Sequence, residues 1–268
     1  MKKAFLIGGA LAVAIFISFS CSTVPLTGRS QLSLLPESSM VELSLTSYDS
    51  FLKENKLSSN AAKVQQIKRV GTRVSQAVEI YLSNNGFSGY IENFDWEFNL
   101  VDNDVPNAWC MPGGKVVFYT GILPIAQTDA GIAVVMGHEI AHAVARHGNE
   151  RMSQSMVLEM GGMALTEALR QKPRQTRALF SSAYGLGSQL GVTLPFSRRH
   201  ELEADEMGLI FMAMAGYDPR ETVAFWKRMA AHGGAETPEF LSTHPVDSRR
   251  IAELEKLMPE AMVYYNMP

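Results

Sequence analysis

The sequence predicts an α+β fold, mostly helical, with one small antiparallel sheet. Three observations lead there. Apolar residues recur at spacings of three and four in the first third of the chain, as on helices with one buried face. Between residues 95 and 119 the pattern changes to polar–apolar alternation, then to two short runs flanking Pro112-Gly113-Gly114, as in a strand followed by a hairpin. After Asp129 nearly every segment reads as helix again, with breaks at Gly216, Gly233-Gly234 and Pro245.

The elements follow in order. Lys2 and Lys3, the uncharged run from Ala4 to Phe19 and the small Ser20 read as a secretory signal peptide over residues 1–20. That run has sixteen residues, short of the roughly 20 needed to span a bilayer. A Cys directly after it predicts lipidation at Cys21, then a Ser/Thr/Leu-rich tether over 21–36 and one folded domain over 37–268. Met40 to Lys56 reads as an amphipathic helix entered at Pro36-Glu37-Ser38-Ser39. Asn60 caps a second helix carrying Val64, Ile67, Val70, Val74, Val78 and Tyr81, which Asn84-Asn85-Gly86 ends. Asp95 to Val101 alternates as a half-buried strand. Residues 107–111 and 115–119 form the hairpin, and the adjacent Pro112 puts its first strand at a sheet edge. Ile132 to Arg146 is apolar enough for a buried helix, and further helices are expected near 150–170, 175–190, 197–215, 219–232 and 247–257.

Composition narrows the function. The chain has 268 residues, 46% hydrophobic and 19% charged, enough for a sizeable core and too apolar for wholesale disorder. A formal net charge of −3 lacks the basic excess of a phosphate-tracking protein, so no nucleic-acid partner is expected. Two cysteines exclude a disulfide scaffold and a four-cysteine zinc module.

The chemistry is carried by His138-Glu139-Ile140-Ala141-His142, which fits H-E-x-x-H inside the buried helix. Residues i and i+4 share a helix face, so both imidazoles reach one ion. Glu139 lies one step round, placed to take a proton from water rather than to ligate. A metzincin would continue with Gly at 145 and His at 148; this chain has Ala145 and Gly148, with His147 one position early. A third ligand is instead available at Glu201, and Asp205 four residues on can receive the second N–H of a ligand histidine. His147 and His200 lie off this pattern, His232 reads as a cation at a helix end, and Arg198 and Arg250 are candidates to pair with acids near the site.

These residues, with Ala145-Arg146-His147 and Ser197-Arg198 beside them, resemble metallopeptidase family forty-eight, of the gluzincin clan. That family holds the CAAX prenyl protease, HtpX, BepA and LoiP relatives. Asn107-Ala108 before Pro112-Gly113-Gly114 is similar to its N-A-F-x-x-P-G-G segment with Trp109 for Phe, and Thr243-His244-Pro245 before Arg249-Arg250 to its T-H-P-x-x-x-x-R element. The resemblance covers residues 60–257 and points to the short, periplasmic lipoprotein-type branch. It implies a zincin (gluzincin) fold in which the sheet's edge strand borders the active-site cleft. One Zn²⁺ per chain is implied on His138, His142 and Glu201, with Glu139 as general base. Asn107, Ala108 and Trp109 become the strand that pairs with extended substrate. His244 becomes either a latch on the metal or a stabiliser of the oxyanion.

The function so implied is a zinc-dependent endopeptidase of unfolded or misassembled envelope proteins. The expected address is the bacterial cell envelope, with a lipid anchor at Cys21 and the catalytic domain in the periplasm. Ser22 rather than Asp after that cysteine favours the outer membrane. The alternative from another class is a latent or non-catalytic, chaperone-like lipoprotein whose metal is capped by His244, since catalytic zinc needs an open position.

Overall fold

Residues 21–189, 193–232, 239–245 and 248–266 are described by the computed structural model, so the expected signal segment lies outside the described residues. They form two compact units, one of residues up to 37 with 146–198, the other of 38–145 with 199–268.

In the larger unit, α1 (Glu37–Glu54) and α2 (Ala61–Asn84) form where their apolar spacing predicts. The Asn60 side chain caps α2 by accepting from the Lys63 N–H, satisfying one of the amides a helix start leaves open. The sheet consists of β3 (Glu97–Val101), β4 (Ala108–Met111) and β5 (Lys115–Tyr119), in the order β3-β5-β4. β4 and β5 are the expected antiparallel hairpin, turned through Gly113 and Gly114 at φ +90° and +82°, a region that favours glycine.

The sheet is mixed, however, because β5 pairs parallel with β3. This corrects the expectation of a wholly antiparallel sheet, and the reason lies in burial. Lys115-Val116-Val117-Phe118-Tyr119 is buried at every position and takes the centre, where both faces are covered. β4, bounded by Pro106 and Pro112, goes to the edge. The stretch 102–114 that carries β4 then serves as the crossover that a parallel pair requires.

On one sheet face Tyr48, Phe51 and Leu52 of α1 pack with Val101, Trp109, Val117 and Tyr119. Phe51 and Trp109 meet edge to face at 4.9 Å. Phe98 lies against α2 at Gly71, where a Cβ would come within 2.4 Å of the ring.

The helices that carry the chemistry follow. Thr128 caps α4 (Asp129–Val144), a helix buried along nearly its whole length, which packs against α2 and β4. After the short α3 (Leu123–Ala126) and α4, the unit continues with α7 (Leu194–Met214), α8 (Glu221–His232), α9 (Glu239–Thr243) and α10 (Ser248–Tyr265). α10 runs past the expected end at 257, continuing through Pro259. α9 carries no sequence signal of its own.

In the smaller unit, β1 (Cys21–Thr23) and β2 (Ser30–Leu32) pair antiparallel, and α5 (His147–Ala168) and α6 (Arg174–Ser188) form a helical hairpin. Residues 21–36 are therefore structured rather than a bare tether. Arg29 makes a two-pronged buried ion pair with Glu150 at 2.9 and 2.8 Å, and the Leu34 N–H donates to Ser153 Oγ.

Candidate metal centre

The site begins with two glycines. A Cβ on Gly137 would stand 2.6 Å from the Gly208 carbonyl oxygen, and one on Gly208 would stand 2.7 Å from the His138 amide nitrogen. α4 and α7 thus touch backbone to backbone at this crossing. That contact carries the turns holding His138, His142, Glu201 and Asp205 into one buried space.

There the donors converge. His138 Nε2 and His142 Nε2 lie 3.2 Å apart, and Glu201 places its two carboxylate oxygens 3.4 Å from one and 3.4 Å from the other. His244, at the end of α9, adds Nδ1 at 3.2 Å from His138 Nε2 and 3.0 Å from Glu201 Oε2. The four residues offer ligand atoms that all lie within 4.8 Å of one another. Zinc with bonds of 2.0–2.1 Å in tetrahedral geometry would hold its donors about 3.3–3.4 Å apart. The separations of 3.0–3.4 Å given above approach that size and the widest of the set lies within 4.8 Å, so a zinc-like ion fits this donor set once the widest pair closes in.

The surrounding charges keep Glu201 and Asp205 ionised and favour a proton on His138, which that ring gives up when it ligates a metal. Asp205 Oδ1 stands 3.1 Å from His138 Nδ1, the nitrogen turned away from the cluster. Arg250 clamps Asp205 with two bonds of 2.7 Å, reaches Glu201 at 3.2 Å and donates to the Pro245 carbonyl at 3.0 Å. Its guanidinium lies 4.3 Å over the Trp226 ring, which in turn meets His138 edge-on at 5.3 Å.

Burial opposes charge on Asp205, but the Arg250 cation outweighs it and lowers the carboxyl's pKa. Burial opposes charge on Glu201 likewise, and the facing histidines overcome it, again downward. For His138 burial also works against the cation, yet the hydrogen bonds and charges of Asp205 and Glu201 raise its pKa to about 9.

Glu139 is buried beside this cluster, with Oε1 3.5 Å from His244 Nε2. The neighbouring β4 is an edge strand of the sheet, buried at Ala108 and half-buried from Trp109 to Met111. Trp109 turns its ring into the core against α1, while Asn107 accepts the Ala108 N–H on its own side chain and the Tyr119 N–H on its carbonyl. Cys110 falls on the other face of the strand. Burial, and after it the Glu139 carboxylate, push its thiol's pKa well up.

Set against the sequence, the structure brings together His138, Glu139, His142, Glu201, Asp205 and His244. Arg250 reaches the acids, whereas Arg198 is exposed. His147 and His200, which carried no ligand pattern, are both fully buried, and His232 is exposed at the end of α8. Trp226 and Phe240, which stacks by His244 at 4.7 Å, were not singled out. Both belong to apolar helix faces that look the same whether they line a core or a site. Cys21, the expected lipidation point, opens β1 opposite Leu32.

Known proteins agree on the family. The profile of Peptidase family M48 matches residues 62–258. Mitochondrial metalloendopeptidase OMA1 of Saccharomyces cerevisiae is 36% identical over 186 residues, covering 65% of this chain and 50% of that protein. Metalloendopeptidase OMA1, mitochondrial, of Homo sapiens is 32% identical over 263 residues, 94% of this chain and 48% of that protein. Beta-barrel assembly-enhancing protease of Escherichia coli is 28% identical over 163 residues, 59% of this chain and 33% of that protein. The chain spans half or less of the length of these relatives. It belongs to peptidase family M48.

One expectation is overturned. The relatives matched at the higher identities are mitochondrial proteases, and the bacterial one is more distant. That points away from a lipid-anchored protein of a bacterial envelope with its catalytic domain in the periplasm.

Proposed function

We propose, from the membership of this chain in peptidase family M48, that it is a zinc-dependent endopeptidase working at the cluster around His138. The observation that carries the reading is the spacing of four buried donors beside a buried carboxylate that is not one of them. His138, His142 and Glu201 would hold the ion, with Asp205 and Arg250 fixing the orientation of His138 and Glu201. Zinc in that position supplies a Lewis acid.

Glu139 accepts a proton from the attacking water at its carboxylate and later delivers it to the leaving amine. The outer edge of β4 pairs with an extended substrate backbone, Asn107 to Trp109 supplying main-chain groups rather than side-chain pockets. Recognition through the backbone asks for an extended segment and little sequence, which suits unfolded or misassembled proteins as substrates. The domain that does this comprises residues 37–268.

His244 favours a second reading of the resting state. Its Nδ1 completes a four-donor set, and a zinc with four protein ligands has no position open for substrate. The chain would then rest latent until His244 swings out, or bind clients without cutting them.

Casein degradation by the full chain and by Glu139→Gln, matched for zinc content, tests the main reading. Cleavage by the wild type alone supports it, and equal cleavage by both removes Glu139 from the mechanism. Silence from both with release of activity in His244→Ala identifies latency, and silence in all three leaves only the binding protein.

A further inference from the structure

The hairpin of α5 and α6 is built unlike the rest of the molecule. Met152, Met156, Met160 and Met163 follow one another by four, four and three residues, so they line one face of α5. Leu179 and Leu186, seven apart, line one face of α6, with Phe180 beside them. All are exposed, Met163 to 65% and Leu179 to 69%. Together with Val157 they are eight of the fourteen large hydrophobic side chains exposed among the described residues.

The seam between the helices fixes this outward display. The Tyr184 hydroxyl donates to the Leu158 carbonyl at 2.7 Å, in a space that exists because Gly161 has no side chain. The buried residues of α5 are His147, Asn149, Glu150 and Ser153, all polar and all within its first two turns. α6 has none. Helices of this length draw their stability mostly from a packed apolar face, and beyond Ser153 the apolar side chains named above are exposed among the described residues.

Charge indicates what covers them. From Ala168 to Gln189 the chain carries Arg170, Lys172, Arg174 and Arg177 and no acidic residue. All four cations are exposed, and among the described residues only Arg170 has a carboxylate near it, Glu167 at 3.6 Å. Apolar helix faces next to clustered Lys and Arg are the composition of segments that lie in a bilayer interface, and such cations are drawn to anionic headgroups. Glu159 and Glu167, which sit among the methionines of α5, keep that helix at headgroup depth. No single described helix is long and apolar enough to cross a membrane.

We propose that the α5–α6 hairpin is a docking surface for an anionic lipid bilayer, its methionine, leucine and phenylalanine side chains entering the interface and its basic bend neutralising headgroups. The proposal does not rest on the peptidase reading.

A fluorophore reporting on polarity, attached at Met163→Cys or Leu179→Cys in the full chain carrying Cys21→Ser and Cys110→Ser, tests it. On vesicles of phosphatidylglycerol and phosphatidylcholine in a 3:7 ratio, both positions should shift to the blue and be quenched by spin-labelled lipid. Pure phosphatidylcholine, or the exposed variant Arg170→Gln/Lys172→Gln/Arg174→Gln/Arg177→Gln with unchanged helicity, should weaken that partition at least about tenfold. Absence of a shift at both positions would overturn the proposal, and so would a shift equal on neutral and anionic vesicles. A blue shift that grows with protein concentration in the absence of lipid would overturn it in favour of a second copy of the chain.

Discussion

The cluster at His138 and the α5–α6 hairpin occupy opposite ends of one scale. At the cluster, polar groups are buried and each is held by several others: Asp205 by both prongs of Arg250, Glu201 by Arg250 and three imidazoles. In the hairpin, apolar groups are exposed and one tyrosine hydroxyl defines the seam. Burying charge is costly unless every partner is in place. A chain that does so at one point and leaves methionines in solvent at another has been shaped at both by something other than stability. The cluster is arranged for an ion and the hairpin for a surface.

Mutations can break or sharpen that contrast. The largest effect is expected from Glu139→Gln, which should lower peptide hydrolysis by about 10²–10⁴-fold while leaving zinc content unchanged, since the role proposed for Glu139 is proton transfer and not ligation. Retained hydrolysis would remove the chemical meaning of the cluster.

Breaking the buried Arg29–Glu150 pair with Arg29→Met should destabilise the fold by about 3–5 kcal/mol in denaturant titration, because Glu150 is left buried without its cation. That variant separates the anchored base of α5 from its exposed remainder, and a negligible loss would mean the whole hairpin is loosely held.

Gly208→Ala should cost about 1–3 kcal/mol and weaken metal binding as well, since its methyl group would meet backbone and not a movable side chain. Asp205→Asn should reduce zinc affinity about 10–100-fold, measured by competition with a chelator, while the fold persists. Smallest of all, Met160→Gln on the hairpin should change stability in water by less than about 0.5 kcal/mol. A large loss there would mean that its face is packed against protein after all.

Much of the cluster was legible because its chemistry is periodic. Two histidines four apart, and Glu201 and Asp205 four apart, declare shared helix faces in any sequence. The crossing that brings the two helices together was not legible. Gly137 and Gly208 are single glycines within helices, and only their contact shows why each lacks a side chain. The order of the sheet was hidden for a similar reason. β5 could be seen as apolar, but its insertion between β3 and β4 depends on which strand has both faces covered, a property of the whole packing. Arg29 gave no warning either, since its partner lies 121 residues away.

The most direct test of the account is the zinc K-edge absorption spectrum of the full chain after purification and mild zinc loading. Nitrogen and oxygen donors at about 2.0–2.1 Å, with imidazole scattering from His138 and His142, are the expected result, and a further ring lost in His244→Ala would mark the latent resting form. A sulfur shell near 2.3 Å, which would put Cys110 on the ion, or the absence of bound zinc, would contradict it.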